Sequence, residues 1–171
     1  MRFTDFLKAT VLLSAGCATL LATLTVLGLS REYDRTLLFV TAGWWLSAIL
    51  IGVWLGRRAE TSPPIARLLT SARSETMLPE LRPGTTLLNR LWPLLISTLG
   101  AGALGFSEPQ VASIATGFAI IWALAWRRQE RAVLAIEERD AVRFYVGRTS
   151  PFSPIQLIRT PGFGGSFLSL T

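Results

Sequence analysis

TLLFVTAGWWLSAILIGVWLG, residues Thr36 to Gly56, runs for 21 residues without an ionisable side chain and stops at Arg57-Arg58. At a helical rise of 1.5 Å per residue, about 21 residues reach across a hydrocarbon core of ~30 Å, so the stretch has the length and polarity of a membrane-crossing helix. A soluble domain would spread its apolar residues by helix or strand periodicity rather than gather them in one block.

Three further blocks flank it. Ala9 to Leu29 is equally free of ionisable groups, and Gln110 to Trp126 is closed by a second pair, Arg127-Arg128. Leu91 to Phe106 is short for a span. It reaches full length if its helix begins near Thr86, with Thr85 as N-cap after a Pro83-Gly84 turn, Arg90 snorkelling to the headgroups and Pro93 as an internal kink. The sequence therefore predicts an all-α integral membrane protein, a four-helix transmembrane bundle of two helical hairpins. The hairpins are residues 1–56 and 86–126, the first linked to the second by a loop at 57–85 and the second followed by a tail at 127–171.

Charge gives the expected orientation. Fifteen of the seventeen basic side chains lie before the first span, between the second and third, or after the fourth, whereas the short first loop has only Arg31 and Arg35. That bias predicts both termini and both long hydrophilic segments on the cytoplasmic side of an inner (plasma) membrane, with Arg57, Arg58, Arg127 and Arg128 as the principal topogenic charges. Trp54, Trp92, Trp122 and Trp126 fall near the same inner boundary, where indoles favour the headgroup level. Scarce Lys beside abundant Arg, Leu and Ala is the composition of a GC-rich bacterial genome. A net charge of +6 invites a nucleic-acid reading, but arginines at the ends of apolar runs are the topogenic pattern, so no nucleic-acid partner is expected.

Several chemistries are hard to build from this composition. Histidine is absent and Cys17 is the lone cysteine, so neither a metal site nor a cofactor site is expected, and no intrachain disulfide can form. Leu13 to Cys17 matches the lipidation box poorly, because Ser14 stands where that box has a branched aliphatic residue and the apolar run continues to Leu29. Ser47 and Ser97 lack a His or Lys base at suitable depth, and Gly162 to Gly165 follows no strand and opens no helix, so no catalytic residues are assigned. Glu130, Glu137, Glu138 and Asp140 are expected on a solvated helical face among arginines. The spans carry no buried acidic group of the kind that ion-coupled exporters use.

The loop and tail are expected to carry structure. Ser62 caps a predicted short amphipathic helix in which Ile65, Leu68, Leu69 and Ala72 share a stripe, with Arg67 and Arg73 off it, lying on the inner membrane surface. Gln129 to Asp140 reads as a helical extension, Val142 to Val146 as an extended arm, and Ser153 as the cap of a short turn over Pro154 to Arg159. IGVWLGRRAE at Ile51 to Glu60 and IWALAWRRQE at Ile121 to Glu130 keep Ile, Arg-Arg and Glu in register, which stop-transfer signals after two spans suffice to explain.

Two functional expectations follow. The first is a non-enzymatic accessory, assembly or scaffold subunit that docks a protein partner or a second copy through Phe144, Tyr145, Phe152, Ile155, Leu157, Ile158 and Arg159. The alternative is a small transporter or a protein binding membrane lipid in an intramembrane pocket. Packing chemistry suggests where: Gly52 and Gly56 form GxxxG, Ser14, Ala18 and Ala22 form a small-residue stripe, and Trp44 or Trp45 is expected to enter a groove made by Gly100, Gly102 and Gly105.

Overall fold

The computed structural model describes residues 1–32, 35–57, 60–74, 83–147 and 155–161. They are mostly helical: α1 (Phe3–Glu32), α2 (Arg35–Leu55), α3 (Pro63–Thr70), α4 (Pro83–Gly105), α5 (Pro109–Trp126) and α6 (Gln129–Arg139). Three short strands, β1 (Arg73–Ser74), β2 (Val142–Val146) and β3 (Leu157–Pro161), complete the order. Four helices are long and apolar enough to cross a membrane. The two best-defined spans appear with little change in their apolar cores, although α1 begins six residues before the apolar block, at Phe3. The third span is resolved in favour of the longer helix. It starts at Pro83, so Thr85 lies inside the first turn rather than capping it, and Pro93 is internal.

The chain divides into two compact units. One is the bundle unit, Ala9–Arg58 with Leu91–Arg127. Its packing is inside-out relative to a soluble core. The residues buried along α1 are Thr10, Ser14, Ala18, Leu21, Thr25 and Leu29, and α5 buries Ala112, Ser113, Thr116, Gly117, Ala119 and Ala123. Large groups such as Phe39, Trp54, Leu99 and Phe118 are exposed instead. Small residues at helix contacts and bulky ones outside are what lipid-solvated helices require, because close backbone approach rather than hydrophobic burial holds them together. The hydroxyls comply too: Ser14, Thr25, Ser47, Thr98 and Thr116 each donate to the carbonyl four residues earlier, so these O–H groups are satisfied within their own helices.

The other unit comprises Met1–Lys8, Ala59–Arg90 and Arg128–Thr171. Here the all-α expectation is corrected. A three-stranded sheet of order β1-β3-β2 forms, with β3 antiparallel to β2 and parallel to β1. Leu157 to Arg159 of the tail thus form a strand and not a turn, and Ser153, expected as the cap of that turn, lies outside the described residues. A hairpin alone would be marginal, but β1 on one side and the N-terminus on the other supply partners. Arg2 bridges to Tyr145, and the Val146 N–H donates to the Met1 carbonyl at 3.0 Å. Phe3, Phe6, Leu7, Ile65, Val133, Phe144 and Leu157 are buried in this unit.

On α3, Ile65 is buried, Leu68 and Leu69 are half-buried and Arg67 is exposed. Ser62 stands at the N-cap position without making a side-chain capping bond; its N–H donates to Gln129 Oε1 instead. Two residues of turn, Arg127 and Arg128, separate α5 from α6. Glu137 departs from the solvated face assigned to it. It is buried, its Oε2 lies 3.0 Å from Arg2 Nη2, and its Oε1 accepts from the Phe144 N–H at 2.9 Å.

Candidate functional site

In the bundle unit, two indoles of α2 bond to backbone carbonyls of α5. Trp45 Nε1 donates to the Ser113 carbonyl at 3.1 Å, and Trp44 Nε1 to the Ile114 carbonyl at 3.3 Å. One turn away from those acceptors, Gly117 leaves the space that the Trp44 ring occupies, and Phe118 meets that ring edge-on at 5.5 Å. Between the same helices the Ser113 hydroxyl donates to Thr41 Oγ1 at 3.1 Å, a buried polar pair that fixes register. The GxxxG glycines serve this contact as well: a Cβ on Gly52 would lie 2.8 Å from Leu124 Cβ, and one on Gly56 would run into the Leu124 carbonyl oxygen.

The glycine groove expected on the third span is therefore placed elsewhere. Trp44 packs on Gly117 of α5, whereas Gly100 has open space around it, Gly102 faces Leu24 of α1 and Gly105 approaches Ala112 of α5. The reason is geometric: the glycine that admits a ring must lie opposite it, and depth along the span does not fix which helix is opposite.

A cleft does open in this unit, between α1 and α2, with a volume of about 460 Å³. Val26, Leu29 and Ser30 line it from α1, and Leu38, Thr41, Ala42 and Trp45 from α2, with Arg35 as the cationic member of the lining. Two of its polar groups are already committed, since Ser30 donates to the Val26 carbonyl and the Trp45 indole to Ser113. The wall is thus effectively apolar, and the exposed Arg35 guanidinium supplies its charge. A second, smaller cleft of about 90 Å³ is lined by Leu24, Leu27, Gly28, Arg31, Gly105, Phe106 and Pro109.

No protein family matches the chain, and neither the curated proteins nor the solved structures compared with it give a match. The site must be read from its own chemistry.

In the sheet-bearing unit, the residues expected to dock a partner are mostly interior. Phe144, Tyr145 and Leu157 are buried, Ile155 and Ile158 half-buried, and Arg159 exposed, while Phe152 lies outside the described residues. Their apolar side chains form the core of a small domain, which removes most of the proposed adhesive face. Of the arginines expected to set topology, Arg57 and Arg127 are exposed, Arg128 is half-buried, and Arg58 lies outside the described residues. Among the described residues no group of three or more His, Cys, Asp or Glu side chains comes together. Ser47 and Ser97 hand their hydroxyl protons to the carbonyls of Gly43 and Leu94 on their own helices.

Of the residues lining the larger cleft, sequence reasoning found Trp45 alone, and of those lining the smaller, Gly105. One signal could have found another: Arg35 and Arg31 are the two cations that run against the charge bias. Each lines a cleft.

Proposed function

We propose that this protein is a multi-pass membrane protein that holds a membrane lipid by an acyl chain in the cleft between α1 and α2. The observation that carries this reading is the cleft, whose 460 Å³ lies within the roughly 300–1,000 Å³ usual for small-molecule sites and whose wall is apolar apart from a few placed polar groups. The satisfied hydroxyls of the spans argue for holding a chain rather than passing a hydrated solute, because Ser14, Thr25, Ser47 and Thr116 have already committed their donors to their own helices and cannot replace water.

Native mass spectrometry of the full chain released from phosphatidylcholine nanodiscs tests this directly. Wild type is expected to retain phospholipid, and Ala42→Trp, which fills the cleft with an indole, to lose most of it; equal retention by the two proteins would remove the reading.

The charge bias supports an orientation with both termini in the cytoplasm of a bacterial inner membrane. Reporter fusions at Asp34 and Glu108 are expected to read as extracytoplasmic, and a cytoplasmic signal at either would reverse the assignment.

Docking of a protein partner is the second reading, favoured by one observation: Arg67, Arg73, Arg131, Arg143 and Arg159 are all exposed on the sheet-bearing unit. An acidic protein surface would suit them better than the apolar contact first expected. Crosslinking of a tagged full chain in its native membrane that recovers only this chain and lipid would end that reading.

A further inference from the structure

The cleft has a direction as well as a volume. Arg35 is the first residue of α2 and Trp45 lies ten positions on, so the lining runs about 15 Å along the helix axis. That is half of a ~30 Å hydrocarbon core, the depth of one leaflet. Leu38, Ala42 and Trp45 follow Arg35 at helical spacing, which sets a chain-length apolar face below a cation at the end of the span. Span ends are where phosphates lie, and a guanidinium presents a planar fork of donors that fits a phosphate oxygen pair.

From these features we infer that the cleft selects an anionic phospholipid over a zwitterionic one, with the phosphate on Arg35 and one acyl chain along Leu38, Ala42 and Trp45. The inference rests on the reading of the cleft as a lipid site and adds the headgroup class. It also accounts for a cation kept on the side of the chain that the charge bias otherwise leaves nearly free of them. Arg31 lines the smaller cleft, whose 90 Å³ is too small for a chain, and does not line the larger one, so it serves as the internal control.

The experiment uses the full chain in nanodiscs of equimolar dioleoyl phosphatidylglycerol and dioleoyl phosphatidylcholine, with the lipid retained on release identified by native mass spectrometry. Wild type is expected to retain phosphatidylglycerol over phosphatidylcholine by about tenfold, the size of one charge-assisted hydrogen bond. Arg35→Gln should bring the ratio close to one while total retention stays high, and Arg31→Gln should leave the ratio as in wild type. A wild-type ratio of one, or a ratio that survives Arg35→Gln or collapses with Arg31→Gln, overturns the headgroup assignment. If Ala42→Trp abolishes retention in that same series, the cleft remains a lipid site without headgroup selectivity. If Ala42→Trp retains lipid normally, the cleft reading and the assignment fall together.

Discussion

Replacing Glu137 with alanine is expected to open the sheet-bearing unit at a cost of about 1–3 kcal/mol, the range for leaving a buried donor without its acceptor. The carboxylate has a side-chain exposure of 4% and makes two bonds from two parts of the chain, to Arg2 at the N-terminus and to the Phe144 N–H in β2. Alanine would leave that amide without its acceptor and the guanidinium, 34% exposed, without its anion. The readout is hydrogen exchange of β2 and β3 amides, because local opening of one unit is visible there when the bundle helices stay closed. Glu137→Gln keeps an acceptor for Phe144 and should cost less. Arg2→Met with Glu137→Gln should cost less than the two single changes added, since each removes the penalty that the other leaves behind. Unaltered protection of β2 in Glu137→Ala would show that the pair holds nothing.

What could be read from the sequence here divides by range. The four long apolar helices are written in contiguous blocks whose length and lack of charge are local properties, so their apolar cores are legible in the sequence. The sheet is not. Arg2 and Glu137 lie 135 residues apart, and nothing near Glu137 separates a buried carboxylate from the solvated Glu138 beside it. β3 is written in a proline-bordered segment that reads as a turn until β2 and β1 are beside it.

The bundle shows the same division in another form. GxxxG at Gly52 and Gly56 is legible as a contact surface because its spacing lies on one helix face. Its partner, Leu124 of α5, is not legible, and neither is Gly117, an isolated glycine whose meaning comes from the indole of Trp44 across the contact. The cleft is harder still, since it arises where α1 and α2 fail to fill the space between them, and a gap leaves no pattern in either helix. Arg35 is the exception, visible beforehand as a charge out of place.

The α2–α5 contact makes a prediction in which two glycine substitutions fail for different reasons. At Gly117 the obstacle to a Cβ is the Trp44 indole, a side chain, so Gly117→Ala should loosen the helix pair and Trp44→Ala should restore it. At Gly56 the obstacle is the backbone carbonyl of Leu124, so Gly56→Val should separate the helices and Leu124→Ala should not rescue it. Overpacking of this kind costs about 1–3 kcal/mol, enough to shift a contact equilibrium by roughly tenfold or more. The reporter is built in: Thr41 Oγ1 and Ser113 Oγ are 3.1 Å apart, so Thr41→Cys with Ser113→Cys, in a Cys17→Ser background, should oxidise to a disulfide in the membrane. High crosslinking yield is expected in that parent, a several-fold loss on adding Gly117→Ala, recovery on adding Trp44→Ala, and a loss with Gly56→Val that persists with Leu124→Ala. Recovery of Gly56→Val by Leu124→Ala would mean that the helices approach through side chains. The close backbone contact that distinguishes packing in lipid from packing in a soluble core would then be absent at this site.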